Sequence, residues 1–420
     1  MREMKDSGIE WIGKVPVEWK IDNPQYHFSQ RKDRAKQGMV QLTASQKYGV
    51  ITQTEYMERT GANIVTVQKD FDILKLVCAG DFVIHMRSFQ GGLEYSEKTG
   101  SISSAYVMLI PSNTIREPRY YKWFFKSSNY IDALSSTSNL VRDGQAMRWS
   151  NFIQLPILFP PAEEQQRIAD FLDAKCAEID ALTADIQTQI DTLEQYKRSI
   201  ITETVTKGLN PDVEMKDSGI QWIGNMPVHW DVIRGKYILR YMQKPVREDD
   251  GVITCFRDGE VTLRSNRRED GFTMSDKEIG YQGVDVGDLV VHGMDGFAGS
   301  IGISDSRGKA SPVLNVLDTD QCKRYIMYYL RSMAYSDVFL AMATGIRVRS
   351  CDLRWNKLAE LFYPVPPLDE QNAIVEYIDS VLSKVDAVIA DKKAQLETLD
   401  KYKKSLIFEY VTGKKEVPVS

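Results

Sequence analysis

The chain has 420 residues, of which 43% are hydrophobic and 26% are charged, and its formal net charge is −5. This length predicts two or three domains, and the composition is that of a globular protein, which excludes a disordered or fibrous chain. The net charge does not indicate a nucleic-acid-binding protein, so such a function would have to rest on local clusters of basic residues.

The sequence lacks the signals that direct a chain to a membrane or out of the cell. No run approaches the roughly 18–20 uncharged apolar residues of a membrane span, and no apolar secretory segment follows residues 1–6. The cysteines are odd in number and scattered, at Cys78, Cys176, Cys255, Cys322 and Cys351. This usage is typical of the reducing cytosol and predicts a cytoplasmic protein without disulfides.

The two halves of the chain begin and end with the same sequence blocks. Residues 4–13 return almost unchanged as residues 215–224, and the Pro-Pro-x-x-Glu-Gln block that starts at Pro160 returns at Pro366. The interiors, residues 25–145 and 236–345, show little similarity to each other. This pattern predicts a tandem repeat with common frames and divergent interiors.

The closing block of each half predicts a long amphipathic helix. A proline pair precedes the helix, acidic residues stand in its first turn, and a glycine ends it, Gly208 in the first half and Gly413 in the second. The first helix is predicted at Ala162–Lys207, which is about 65–70 Å long at ~1.5 Å per residue. Apolar residues recur at heptad positions, at Ile168, Leu172, Ile179, Leu182, Ile186, Leu193, Tyr196 and Ile200, and at Ile374, Ile378, Val381, Val385, Val388, Leu399, Tyr402 and Leu406.

A helix of this length with one apolar stripe has to bury that stripe against a partner. We expect the two helices to pair as a coiled coil whose seam is interrupted by polar residues, Lys175, Gln189, Lys392 and Gln395. The alternative is that each helix packs on the globular part of its own half. A compact domain rarely offers about 65 Å of surface, which favours the coiled coil.

The interiors are predicted to be mixed α/β. Gly-Asp turns introduce short buried strands at residues 81–86 and 288–293, and loops follow at 87–92 and 294–299. Further strands are predicted at 105–110 and 313–317, and aromatic-rich helices at 120–125 and 325–330.

Catalytic motifs are missing from the sequence. The segment from Gly302 to Lys309 resembles a phosphate-binding loop, but its glycine spacing is wrong and Ala310 stands where Ser or Thr is needed. The acidic and basic residues at 212–216 lie in a linker and do not form a nuclease site. The four histidines lack metal-ligand spacing, and we expect His85 and His292 to be hydrogen-bonded residues at strand ends.

Basic and polar side chains in the predicted loops are the candidate DNA contacts. Arg and Gln pair with guanine and adenine edges, whereas Lys and Ser favour phosphates. The candidates are Arg31, Lys32, Arg34, Lys36, Arg87, Ser88 and Gln90 in the first half, and Arg257, Arg264, Arg267, Arg268, Arg347 and Arg349 in the second. The alternative is ordinary solvated charge, because acidic residues are interleaved with them.

The whole pattern resembles the specificity subunit of a type I restriction–modification enzyme. The resemblance covers nearly the whole chain and rests on Trp11-Ile12-Gly13 with Pro16 and Trp19, on Gly80-Asp81 with residues 87–92 and 104–106, and on the block from Leu155-Pro156 to Glu164-Gln165. The second half repeats it with Trp222-Ile223-Gly224, Gly287-Asp288 and the block from Pro366-Pro367 to Glu370-Gln371. The second half departs from the pattern at residues 293–296, Gly-Met-Asp-Gly, where the first half has Arg-Ser-Phe-Gln.

The resemblance implies a mixed α+β fold that is a pseudo-twofold tandem repeat. Two α/β target recognition domains, residues 1–160 and 211–365, would be separated by two long antiparallel helices, 161–210 and 366–420, that form a coiled coil. Each domain would read half of a bipartite, asymmetric site in double-stranded DNA, and the helices would dock two modification subunits.

According to the same resemblance, the chemistry would belong to partner subunits. The modification subunits would bind adenosylmethionine and methylate adenine, and restriction subunits would use ATP and Mg to translocate and cleave DNA. This chain would hold no cofactor and no catalytic residue. Two other function classes stay open: a protein-binding coiled-coil scaffold without DNA specificity, and an enzyme with an unrecognised site.

Overall fold

The structure is a computed structural model that describes residues 2–64, 73–137, 147–267, 279–342 and 353–418. The chain divides into two compact units, the first consisting of Met1–Ile186 and Ala394–Ser420 and the second of Gln187–Lys393. Each unit therefore contains a globular part and one segment from each of the two longest helices.

The first unit has a globular part made of short strands and helices. Its strands are β1 (Met4–Asp6), β2 (Lys14–Pro16), β3 (Lys20–Asp22), β4 (Phe28–Arg31), β5 (Leu42–Ser45), β6 (Gly49–Thr52), β7 (Lys75–Val77), β8 (Phe82–Ile84), β9 (Glu94–Tyr95), β10 (Gly100–Ile102), β11 (Val107–Pro111) and β12 (Ile157–Phe159). Its helices are α1 (Gln53–Thr60), α2 (Ser88–Gly91), α3 (Pro118–Phe124), α4 (Ser128–Ser136) and α5 (Trp149–Phe152), and the long helix α6 (Ala162–Lys207) begins here.

The second unit is built in the same way. Its strands are β13 (Met215–Asp217), β14 (Asn225–Pro227), β15 (Asp231–Arg234), β16 (Arg240–Tyr241), β17 (Ile253–Cys255), β18 (Val261–Leu263), β19 (Gln282–Val284), β20 (Leu289–His292), β21 (Ile301–Ile303), β22 (Gly308–Ala310), β23 (Leu314–Asp318) and β24 (Phe362–Val365). Its helices are α7 (Gly235–Ile238), α8 (Lys323–Tyr335), α9 (Val338–Ala341) and α10 (Trp355–Leu358), and the second long helix is α11 (Leu368–Val411).

The two interiors have the same strand order despite their different sequences. Each contains an antiparallel four-stranded sheet, β4-β11-β8-β9 in the first unit and β16-β23-β20-β21 in the second. Four two-stranded ladders also correspond between the units: β1-β2 to β13-β14, β3-β12 to β15-β24, β5-β6 to β17-β18, and β7-β10 to β19-β22. Topology is thus repeated where the sequence is not.

The central strands are buried on both faces, which explains why they are apolar without alternation. In the first unit, Phe82 and Ile84 face a large core, whereas Val83, between them, faces a smaller one. In the second unit, Leu289 and Val291 face the large core and Val290 faces the small one.

Most of the predicted elements are confirmed, with shifted ends. The strands predicted at 81–86 and 288–293 are β8 and β20, and those at 105–110 and 313–317 are β11 and β23. The aromatic-rich helices are α3 and α8. The loops at 87–92 and 294–299 each contain a short helical segment, α2 in the first unit and the 3-10 turn Gly296–Ala298 in the second.

The long helices pair antiparallel within each unit. In the first unit, the Lys403 ammonium lies 2.5 Å from the Asp180 carboxylate, and the tilted rings of Phe171 and Tyr410 have centroids 4.4 Å apart. In the second unit, Lys197 pairs with Asp386 at 2.5 Å, and Lys392 donates to Gln189. The residue number rises along α6 as it falls along α11, so the expected helix pairing is confirmed.

The alternative, in which each helix packs on the globular part of its own half, also holds in part. The N-terminal part of α6, including Ile168 and Leu172, belongs to the same core as Phe28 and Phe124 of the first globular part, and so does Val411 at the end of α11. Each globular part therefore covers the start of the helix that follows it and the end of the other helix.

Four of the predicted seam residues are exposed, and this part of the prediction is wrong. Leu182, Tyr196, Val388 and Tyr402 are 47%, 46%, 46% and 54% exposed. The buried seam instead includes Cys176, Ile190 and Ile389, each four residues after a buried or half-buried heptad residue. The seam thus follows one side of the apolar stripe, and the exposed residues lie on its other side.

Candidate nucleic-acid interface

The repeated tryptophan, proline and glutamate residues of the first unit hold two helix ends together. Trp19 is fully buried, and its indole N–H donates to the Glu164 carboxylate in the first turn of α6 at 2.9 Å. The same ring and Pro16 pack against Gly413, which ends α11 with φ +70°. Arg2 also binds Glu164, at 2.5 Å. We call the set of Pro16, Trp19, Glu164 and Gly413 the first clamp.

The second unit repeats this arrangement. The buried Trp230 donates to Glu370 at the start of α11 at 3.1 Å, and it packs with Pro227 against Gly208, which ends α6 with φ +78°. In both blocks the following glutamine, Gln165 or Gln371, donates back to the carbonyl of the first proline at 2.9 Å. The Pro-Pro-x-x-Glu-Gln motif is therefore a helix-start motif whose glutamate binds the repeated tryptophan.

The aspartate of each Gly-Asp turn, before β8 and before β20, holds the turn in place and is paired with a basic side chain. The buried Asp81 carboxylate accepts the Cys78 N–H at 2.8 Å and a two-pronged ion pair from Arg31 at 2.7 and 2.9 Å. In the second unit, Asp288 accepts the Asp285 N–H at 2.9 Å and pairs with Lys244 at 2.7 Å. Arg31 is thereby occupied inside the unit, because releasing it would leave a buried carboxylate unpaired.

The histidines that follow these strands organise the next turn. Nδ1 of His85 accepts the Arg87 N–H at 3.2 Å, and Nδ1 of His292 accepts the Asp295 N–H at 3.0 Å. Both rings are therefore hydrogen-bonded residues at strand ends, as the sequence predicts. Burial lowers the pKa of His292, which keeps that imidazole neutral at pH 7.

The turn after β8 presents Arg87 and Gln90 at the surface and hides Ser88. Ser88 is fully buried, and its hydroxyl accepts the His85 N–H at 2.9 Å, so the expectation that it lies on an exposed loop is wrong. The backbone amides of Arg87 and Gln90 form turn hydrogen bonds, and both side chains are exposed. These two residues have the donors that pair with guanine and adenine edges.

A hairpin tip lies against this turn in each unit. In the first unit, the amide of Gln46, between β5 and β6, donates to the Arg87 carbonyl at 2.9 Å, and its side chain fills the space where a Cβ on Gly91 would lie. In the second unit, Arg257 between β17 and β18 pairs with Asp295 at 3.1 Å. We call each hairpin tip with its neighbouring turn the reading surface of that unit.

The other candidate residues have different surroundings. Lys32 and Lys36 are exposed, and Arg34 donates to the Ile73 carbonyl at 3.1 Å. Arg264 donates to Thr254 at 3.4 Å, and Arg267 pairs with Asp258 and Glu260 at 2.8 and 2.9 Å. Arg268, Arg347 and Arg349 lie outside the described residues. A DNA-binding role for any of these side chains stays a prediction.

Exposed apolar residues lie at matching places on the helix pair of both units. The Asp180–Lys403 ion pair sets the register that brings Leu182 level with Tyr402 in the first unit. The Lys197–Asp386 pair does the same for Tyr196 and Val388 in the second. We call the Leu182/Tyr402 pair and the Val388/Tyr196 pair the apolar ridges. These side chains are half exposed, at 46–54% of their surface.

The described residues contain neither a candidate metal cluster nor a candidate membrane span. No group of three or more His, Cys, Asp or Glu side chains there is placed to hold a metal ion. Within the same described ranges, no helix is long and apolar enough to cross a membrane.

The chain is similar in sequence to specificity subunits of type I restriction enzymes. The model of the type I restriction modification DNA specificity domain matches residues 27–192. The type I restriction enzyme MjaVIII specificity subunit of Methanocaldococcus jannaschii is 23% identical over 418 residues, which is 96% of this chain and 94% of that protein. A protein of the same organism with the provisional name type I restriction enzyme MjaX specificity subunit is 24% identical over 322 residues, 73% of this chain and 70% of that protein.

A solved structure has the same fold. A chain from a study of complex assembly and conformational transition of the type I R-M system aligns with 96% of this chain and 99% of its own length. Its TM-score is 0.67 and its sequence identity is 15%, so the match shows a shared fold and carries no information about individual residues of the reading surfaces.

Proposed function

We propose that this protein, which is a type I restriction–modification specificity subunit by its domain, its relatives and its fold, binds double-stranded DNA and selects the site at which partner subunits act. In this proposal, residues 1–160 and 211–365 are the recognition domains and the long helices are the spacer. The chain contributes sequence choice, while adenosylmethionine, ATP and Mg are bound by the modification and restriction subunits.

The observation that carries the proposal is the contrast between a repeated topology and unlike reading surfaces. Both units place a hairpin tip against the turn that follows the second strand of the same sheet. The first unit presents Arg87, Gln90 and Gln46 there, whereas the second presents Arg257 paired with Asp295. Different hydrogen-bond donors on two scaffolds of the same topology support a bipartite site with two different half-sites.

The apolar ridges support assembly with two copies of one partner. The same kind of pair, one aliphatic residue and one tyrosine, is exposed in both units. A DNA-binding protein that works without partners has no use for two matching exposed pairs. Two identical modification subunits, in contrast, need two equivalent contacts. A protein-binding scaffold would also explain the ridges, but it predicts no role for Arg87 or Gln90.

Methylation sequencing of a host that carries the whole system tests the proposal. The wild-type chain should give one bipartite, asymmetric motif. Arg87→Ala should relax the choice of one base by about 1–3 kcal/mol in one half-site and leave the other half-site unchanged. Arg257→Ala should affect the other half-site only.

The matched control is Arg116→Ala, which removes one exposed arginine of the first unit. Arg116 follows β11 at the end of the sheet opposite the Arg87 turn, because β11 runs antiparallel to β8. This variant should keep the wild-type motif. A motif unchanged by Arg87→Ala, or changed in both halves, would refute the assignment of the reading surface, and binding of the subunits without any DNA preference would favour the scaffold.

A further inference from the structure

A cationic cluster with an aromatic centre lies at the hairpin tip of the first unit. The Lys47 ammonium is 5.2 Å, and the Arg59 guanidinium carbon 5.3 Å, from the centroid of the Tyr48 ring. Tyr56, from the same helix as Arg59, meets Tyr48 edge-on at 6.5 Å. Two positive charges are thus held beside one another on a single ring, on a chain whose net charge is negative.

The charge of this cluster is largely uncompensated. Arg59 lies 4.0 Å from the Glu55 carboxylate, but Glu55 is already bound by Lys98 at 2.6 Å and by the N–H of Thr52 at 3.1 Å. Within the described ranges, Lys47 has no ion-pair partner. Cation–π contacts leave the full positive charge in place, so the cluster attracts anions.

The hairpin of the second unit shows what a neutralised version looks like. There Arg267 lies 4.2 Å from the centroid of Phe256, but two carboxylates, Asp258 and Glu260, bind the same guanidinium nitrogen. The cation–aromatic arrangement is therefore present in both hairpins, and the uncompensated charge is a property of the first.

The cluster is continuous with the reading surface. Gln46 precedes Lys47 directly, and its amide donates to the Arg87 carbonyl at 2.9 Å. Gly91, at the end of the same turn, lies so close to the Gln46 side chain that an added Cβ would come within 2.5 Å of it. The hairpin tip that carries Lys47 and Tyr48 therefore lies directly beside the turn that carries Arg87 and Gln90.

We propose that Lys47 and Arg59, oriented by the Tyr48 ring, bind the phosphate backbone of the DNA beside the base-reading turn and fix the position of the first recognition domain on the duplex. The inference rests on the proposed function. It adds a phosphate-binding site, which gives affinity and register without reading sequence, next to side chains that read bases.

The test uses this chain assembled with the modification subunits of its own system and duplex DNA that contains its methylation motif. Affinity is measured by fluorescence anisotropy at several salt concentrations, because each phosphate contact contributes about 0.9 to the slope of log affinity against log salt. Lys47→Ala and Arg59→Ala should each lower the slope by about one, and the double variant by about two. Arg59→Lys, which keeps the charge, should retain the wild-type slope, and so should Arg116→Ala.

A second readout separates phosphate binding from base reading. The Lys47 and Arg59 variants should weaken binding to the motif and to a duplex altered in the first half-site by the same factor, whereas Arg87→Ala should reduce the difference between them. Unchanged slopes in a complex that still prefers its motif would overturn the phosphate site and leave the proposed function standing. A lost preference in the Lys47 or Arg59 variants would also overturn it, since the cluster would then read bases. A wild-type complex that does not bind DNA would overturn both.

Discussion

The first clamp offers the sharpest test of the fold, because a single added methyl group should separate packing from backbone strain. Gly413 has φ +70°, and a Cβ built there would lie 2.5 Å from Cγ of Pro16 and 3.0 Å from Trp19. Gly61, which ends α1 in the same unit, has φ +66° and no heavy atom within 4 Å of its Cβ position. The two positions share the left-handed backbone and differ in what the methyl group meets.

The expected magnitudes follow from these two effects. An alanine in the left-handed region costs about 1–2 kcal/mol, which applies to both variants. Forcing a methyl group into a packed site costs about 1–3 kcal/mol more, and Pro16 and Trp19 are buried and rigid. Gly61→Ala should therefore lower the free energy of unfolding by about 1–2 kcal/mol, and Gly413→Ala by roughly 2–5 kcal/mol.

Urea unfolding of the full chain, followed by circular dichroism, measures the difference between the two variants. Equal destabilisation by Gly413→Ala and Gly61→Ala would refute the reasoning, since it would mean that the repeated Pro-x-x-Trp segment does not pack on the end of α11. Gly208→Ala provides a graded check, because its Cβ would lie 3.2 Å from Trp230 and from the Glu370 carboxylate. Its cost should fall between those of the other two variants.

Three further expectations follow from individual side chains. The double variant Leu182→Asp/Tyr402→Asp should weaken binding of the modification subunits roughly tenfold or more in a pull-down titration, without lowering the stability of the chain. The control is Ala177→Asp, which is exposed on another face of α6 and should leave binding unchanged. Burial raises the pKa of Cys176 to about 11 and of Cys255 to about 12. Native alkylation followed by mass spectrometry should therefore label Cys78 and Cys322 before Cys176 and Cys255, and rapid labelling of Cys255 would contradict its position in the core. The pKa of Glu55 is lowered to about 2, mainly because Lys98 donates a hydrogen bond to it and also because Thr52 does. The stability that this carboxylate contributes is therefore complete above its ordinary pKa of 4.5 and is lost as the pH falls towards 2. In Lys98→Met, the pKa of Glu55 measured by NMR titration should move back towards 4.5.

The frames were predictable from sequence because local rules determine them. The proline pair, the acidic first turn and the terminal glycine predict Ala162–Lys207, and the structure has a helix with these bounds. The Gly-Asp turns predict the start of the central strands for a similar reason, since the aspartate accepts a backbone N–H only three residues away. Signals of this kind lie within one element and survive without knowledge of the tertiary structure.

The sequence predicts Arg87, Gln90 and Arg257 of the reading surfaces but not the residues beside them, because those depend on contacts between residues distant in sequence. Gln46 meets Arg87 across 41 positions, and nothing near Gln46 in the sequence indicates that neighbour. Arg31 looks like any loop arginine until the fold brings it to Asp81, 50 residues away. The seam differs from the heptad prediction for a related reason. Leu182 and Tyr196 fit the heptad, but the partner helix determines which side of the apolar stripe is covered.

The clamps also predict the behaviour of half the chain. A fragment of residues 1–210 keeps the first globular part and all of α6, but it loses the end of α11 that this part covers. The end of α6 carries the same features: Tyr120 donates to the Val411 carbonyl at 2.7 Å, and Tyr325 donates to the Val205 carbonyl at 3.0 Å. Gly208 likewise packs on Trp230 as Gly413 packs on Trp19.

A second copy of the fragment can therefore supply the missing helix end. Trp19 of each copy would cover Gly208 of the other, and α6 would pair antiparallel with its twin in a twofold dimer, the simplest closed arrangement for a self-complementary surface. Light scattering should give a dimer, and with modification subunits the fragment should select a palindromic site made from the first half-site alone. Glu164→Ala, which removes the carboxylate bound by Trp19 and Arg2, should shift the fragment towards monomer. A folded monomer of the unaltered fragment, or a dimer that still selects an asymmetric site, would show that the two helix ends are not interchangeable.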